Sequence, residues 1–136
     1  MEGDPEAGLT LLEERLSNRP SDAQLLNDVC WYRGAWQVDI DGAVAVCTRA
    51  IESSSFSAPS LDSRAMVHLR EGRLEDALKD LDAALVLAPD QGPSLLLRGI
   101  VLREMGERAA GTAAIADALA REPSLRLQYS QYGFDL

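Results

Sequence analysis

Lysine is nearly missing from this chain. Lys79 is the only one among thirteen basic residues, which face 22 Asp and Glu, so the formal net charge is −9. A balance of that sign opposes nucleic acid and anionic membrane surfaces, both of which attract basic patches. Aromatic residues are scarce at 5%. No apolar run approaches the roughly 20 residues of a bilayer-spanning helix, so membrane insertion is not expected. No basic region followed by an apolar stretch opens the chain, so no signal peptide is visible in it. There is one histidine, His68, and there are two cysteines, Cys30 and Cys47.

What the sequence does have is a period. Between Leu61 and Pro89, apolar residues recur at helical spacing as Leu61, Ala65 and Leu69, then as Leu74, Ala77, Leu78, Leu81, Ala84 and Leu85. Gly72 lies between the two series, and Pro89 closes the second. The next stretch repeats this in register: Leu95 answers Leu61, Gly99 answers Ala65, Gly106 answers Gly72, Ile115 answers Leu81, Ala118 answers Ala84 and Pro123 answers Pro89, each 34 positions on. A fixed period of that length predicts stacked helical hairpins, none of which buries its apolar side without a neighbour.

The 136 residues make one domain. Residues 1–20 read as half a repeat, with Gly3 at its turn, Leu9, Leu12 and Leu16 on its apolar face and Pro20 at its end. Residues 21–57, 58–91 and 92–125 read as three hairpins, and 126–136 as a short cap over the last one, with Tyr129 in the place of Leu61 and Leu95. Ser21 or Asp22 is expected to cap the first helix of the first hairpin, and Asp39 or Asp41 the second. Phe56, in the Ser-rich loop that follows, is expected to tuck inwards. Gly72 and Gly106 are expected at positive φ, where a helix C-terminus needs glycine. A helix at 1–20 that lacks its mate would expose apolar surface, which makes a homodimer through those residues one candidate.

Chemistry is not in evidence. His68 shares its spacing with Leu61, Ala65 and Leu69, so it reads as a packed side chain and not a general base. Cys30 and Cys47 fall on paired helices. Two buried thiols packed as small apolar groups are the expectation, with a disulfide as the alternative. Zinc wants four ligands, and His68 belongs to a different hairpin, so no metal is expected. Glu75, Asp76, Asp80 and Asp82 read as a solvated charged face, on which Glu75 and Lys79 are spaced to pair. The glycines mark helix ends and make no phosphate loop. No enzyme, catalytic residue or cofactor is indicated.

These residues resemble the tetratricopeptide repeat. Leu61, Arg64, Ala65 and His68, followed by Ala77, Leu81, Ala84 and Pro89, fall on that family's positions. So do Leu95, Arg98, Gly99, Leu102, Gly111, Ile115, Ala118 and Pro123. The first hairpin matches less well, through Leu26, Val29, Cys30, Arg33, Ala43, Cys47 and Ala50. The resemblance implies an all-α solenoid coiled into a right-handed superhelix. It implies a non-catalytic module that binds a protein or peptide in a concave groove lined by the first helix of each hairpin. Carried over by position, the groove residues are Asn27, Trp31, Asp62, Met66, Arg70, Leu96, Ile100 and Arg103. Trp31, Met66 and Ile100 then form an apolar stripe that suits a peptide side chain or an amphipathic helix. The competing reading is that the stripe packs against the chain's own cap, a neighbouring domain or a second copy. The lysines with which some members of the family grip a C-terminal carboxylate have no counterpart. The Cys-Trp pair, the Leu-Asp-Ser-Arg opening of the hairpin at 58–91 and the Tyr-Gly-Phe near residue 134 are also similar to the tails of larger bacterial envelope proteins, some with transglutaminase-like domains. That similarity implies a docking or regulatory tail as an alternative role, in a bacterial cytoplasm or periplasm.

Overall fold

A computed structural model describes residues 4–136, which form eight α-helices and no strand: α1 (Pro5–Asn18), α2 (Ala23–Trp36), α3 (Ala43–Ser53), α4 (Ala58–Arg70), α5 (Leu74–Leu87), α6 (Gly92–Glu104), α7 (Arg108–Arg121) and α8 (Ser124–Gln131). Helices α2 and α3, α4 and α5, and α6 and α7 pack as antiparallel hairpins, and α1 lies against α2. The hairpins stack through α2 and α3 on α4 and through α5 on α6, with a smaller contact of α4 on α6, and the first helices α2, α4 and α6 run along one side. The bounds of α4 and α6, and those of α5 and α7, are offset by 34 residues. Gly72 and Gly106 take φ of 78° and 95° at equivalent bends. The expected bend at Gly3 lies outside the described residues.

The close pairing of α6 and α7 explains two further glycines. A Cβ on Gly111 would meet the Arg103 amide nitrogen at 2.7 Å and the Gly99 carbonyl oxygen at 2.8 Å. The first hairpin fills the corresponding space differently, because Cys30 and Cys47 form a disulfide with Cα atoms 4.9 Å apart. This corrects the expectation of two free thiols. Cys30 holds the register of Gly99 and Cys47 that of Ile115, and a Cβ on Gly99 would sit 2.9 Å from Ile115 Cγ1. The close helix–helix approach seen at Gly99 and Ile115 recurs at this register and brings the two sulfurs together. Closing a loop of this length stabilises by about 2–3 kcal/mol. We expect no maleimide labelling of the unreduced protein in denaturant and two labels after reduction, read by mass spectrometry. Labelling without reductant would overturn the bond.

Four local expectations also change. Asp22 caps α2 by accepting the Leu25 amide, but neither Asp39 nor Asp41 caps α3. Gly42, at φ 77°, holds that N-cap with no side-chain bond. Phe56 is 60% exposed, because it and Ser55 both take positive φ and turn the ring outward. Asp80 is not solvated: it is buried and accepts Arg64 Nε at 2.7 Å and Nη2 at 2.8 Å, with His68 Nε2 3.6 Å away. His68 is itself buried, which lowers its pKa against the opposing pull of Asp80 and keeps the imidazole neutral. Among the described residues Glu75 and Lys79 form no ion pair, and no helix is long and apolar enough to cross a membrane.

Candidate functional site

The face built from α2, α4 and α6 carries all eight residues assigned to a groove, but its middle is not open. Met66 and Leu96 are fully buried and Ile100 is 1% exposed, all three in the largest core cluster. What covers the face is the chain's own C-terminal segment. Helix α8 packs on α7, and Tyr129 from its last turn is completely buried in the same cluster. At Gly133, with φ 94°, the chain leaves the helix and continues through Phe134 to Leu136, both packed against that core. The cap thus runs inward over the first helices and does more than cover the edge of the last hairpin.

The aromatic residues saved elsewhere are spent here. Tyr129 meets Trp31 edge-on with ring centroids 6.3 Å apart, and Tyr132 meets Trp31 at 5.8 Å and Trp36 at 5.0 Å. Tyr129 also contacts Tyr132 at 5.4 Å and Phe134 at 6.0 Å. The edge-to-face pairs, all of these but Tyr129 with Phe134, each contribute about 0.5–1.5 kcal/mol beyond the area they bury. Trp36, which the sequence leaves without a place, is thereby explained: it packs between Tyr32 and Tyr132.

Arg70 ties the layers together. Its Nε donates to the Gly34 carbonyl at 2.9 Å, and its Nη2 donates to the carbonyls of Ala35 and Tyr132, each at 2.7 Å. Its guanidinium lies 4.2 Å from the centre of the Phe134 ring, a cation–π distance. One side chain from α4 thus holds the C-terminus of α2 and the covering segment at once. Burial lowers the Arg70 pKa to about 10, still charged at neutral pH.

Two openings remain where the covering segment ends. Arg70, Ile100 and Arg103 border one cavity of about 340 Å³ together with Phe134 and Asp135. Asn27, Trp31 and Asp62 border another of about 310 Å³ together with Gln91, Gln128 and Tyr129. The covering segment therefore divides the assigned residues into two groups, with Met66 and Leu96 in the core. In the second cavity Ser94 donates to Asp62 Oδ1 at 2.8 Å, and the Gln91 amide donates to the Ser94 hydroxyl at 2.6 Å. Asp62 is nearly enclosed, and burial raises its pKa to about 6 against the lowering effect of the Ser94 bond. Burial also raises the pKa of Tyr129 well above its usual value, with the Asp62 charge adding to the effect.

Sequence reasoning missed Tyr132, Phe134, Ser94 and Gln91. A signal was available for the first two, since three of the chain's seven aromatic residues fall within 129–134. Ser94 and Gln91 carried none, because such residues usually begin helices.

No family model matches the sequence, and no curated protein does. Solved structures match its fold. One is MamA MSR-1 C2, a tetratricopeptide-like protein, with a TM-score of 0.65 and 20% sequence identity over 85% of this chain and 66% of that one. This chain therefore spans just under two thirds of that neighbour's length, and at this identity the likeness concerns the fold. The architecture is an all-helical solenoid of tetratricopeptide-like hairpins.

Proposed function

We propose that this chain is a non-catalytic protein-interaction module whose concave face takes a peptide or helix. In this reading, residues 129–136 are the resident occupant of a groove formed by Asn27, Trp31, Asp62, Met66, Arg70, Leu96, Ile100 and Arg103. The observation that carries the reading is the way the face holds that segment. It offers aromatic sockets for Tyr129 and Tyr132 and an arginine for the Tyr132 carbonyl. Side-chain sockets combined with a main-chain bond are the usual grip on a short peptide. The likeness in fold to MamA MSR-1 C2 is consistent with such a module. Helix α1 turns Leu9, Leu12 and Leu16 onto α2, so we propose no homodimer through it.

A tethered occupant acts at an effective concentration of the order of millimolar, so a free peptide competes poorly while the tail is intact. The test is therefore a double variant, Tyr132→Ala with Phe134→Ala, titrated with a synthetic peptide of residues 132–136 and followed by tryptophan fluorescence. Saturable binding to the variant, and at least about tenfold weaker binding to the parent chain, is expected. Equal response of the two proteins, or none in either, would remove the groove.

A further inference from the structure

The cavity beside Trp31 has a chemical bias that the aromatic segment does not use. Three oxygen atoms there lack hydrogen bonds among the described residues. Asp62 Oδ2 accepts none, its partner Oδ1 being engaged by Ser94. Asn27 Oδ1 and Tyr129 Oη are buried with no partner. Tyr129 is wholly enclosed and Asp62 is 5% exposed. Asp28 adds a second carboxylate at the wall, the Trp31 and Tyr129 rings and two prolines complete it, and no basic side chain lines it. Each of the two buried oxygens costs about 1–3 kcal/mol while unpaired, and the free oxygen of Asp62 opens onto the cavity. What relieves all three together is a positive group with several N–H donors.

We propose that this pocket binds a primary alkylammonium group, with its N–H donors shared among Asp62, Asn27 and Tyr129 and its stem lying along Trp31. An ammonium brings three donors to three free acceptors. An aromatic face beside it adds cation–π attraction. The volume of about 310 Å³ holds a lysine-sized chain, and the net charge of −9 favours approach of a cation. Where the amine is a lysine of a partner peptide, the proposal rests on the groove reading above. Where it is a free small amine, it does not.

The test uses the whole chain with its covering segment in place and follows the Trp31 indole and Tyr129 resonances by NMR. N-acetyl-lysine-N-methylamide represents a lysine within a peptide, putrescine a free amine, and N-acetyl-norleucine-N-methylamide is the uncharged control. Saturable shifts with at least one cation are expected, with the control at least about tenfold weaker. The tighter of the two cations assigns the source. Asp62→Asn, whose fold is checked by denaturation, is expected to weaken binding about tenfold or more, and Asn27→Ala by a smaller factor. Absence of saturable shifts, equal binding of the norleucine control, or undiminished binding by Asp62→Asn would overturn the proposal. Failure of the peptide titration leaves these outcomes readable, because they need only the pocket.

Discussion

Tyr129→Ala is expected to lower the stability of the folded chain by about 4 kcal/mol in a urea titration, the cost of deleting a large buried aromatic side chain. The ring is fully enclosed and meets Trp31, Tyr132 and Phe134, so its loss opens a void that three neighbours share. Collapse is hindered because Trp31 of α2 and Tyr132 of the covering segment are held in place by their own edge contact and by Trp36 and Arg70. The same variant should release residues 132–136, read as faster chymotryptic cleavage at Tyr132 and Phe134 and a red shift in tryptophan emission. Tyr129→Phe separates packing from polarity. It keeps the ring and removes a buried hydroxyl without a partner, so stability should rise by about 1 kcal/mol. A Tyr129→Ala protein that loses under 1 kcal/mol and resists protease like the parent would show that the segment does not depend on this anchor.

The parts of the fold legible in the sequence are those that local spacing dictates. The recurrence from Leu61 to Pro123 placed α4 to α7, because the bounds of α4 and α5 recur 34 residues later in α6 and α7. Gly72 and Gly106 were readable because a left-handed bend favours glycine whatever surrounds it. Asp80 and Phe56 were misread for the opposite reason. Whether a carboxylate is solvated depends on an arginine sixteen residues away, and whether a ring turns inward depends on two consecutive positive φ angles in a loop. The disulfide was open because spacing brings two sulfurs together without saying whether they are oxidised. The groove positions carried over from the repeat family lie on α2, α4 and α6, with Met66 and Leu96 inside the core. That the chain covers this face itself was not legible, because the covering contacts join Trp31 to Tyr132 across most of the sequence, and periodicity says nothing about contacts between unlike segments. The aromatic cluster at 129–134 was the one available hint.

Asp62→Asn is expected to stabilise the protein by about 3 kcal/mol at pH 7.5 and to make little difference near pH 3.5. The carboxyl of Asp62 ionises at about 6 in the folded chain and at 3.8 when free. The folded state therefore holds the proton more tightly. The stability this group contributes is fully present below 3.8 and is lost as pH rises through about 6. A gap of that size corresponds to about 3 kcal/mol of penalty on the ionised form at neutral pH. His68 acts in the opposite direction, since its lowered pKa makes acid pH unfavourable to the fold, but it is present in both proteins and cancels in their difference. Asparagine retains an oxygen for the Ser94 hydroxyl, so the variant removes the charge and spares that bond. Urea titrations of both proteins at half-unit steps give the difference directly, and a curve centred between 4 and 6 is the expected result. A difference that is flat with pH would mean that Asp62 is as well solvated or paired in the folded chain as in the free one. The penalty is largest in the pH range where the carboxylate could meet an ammonium group. A bound cation should therefore return part of the lost stability to the parent chain and none to Asp62→Asn.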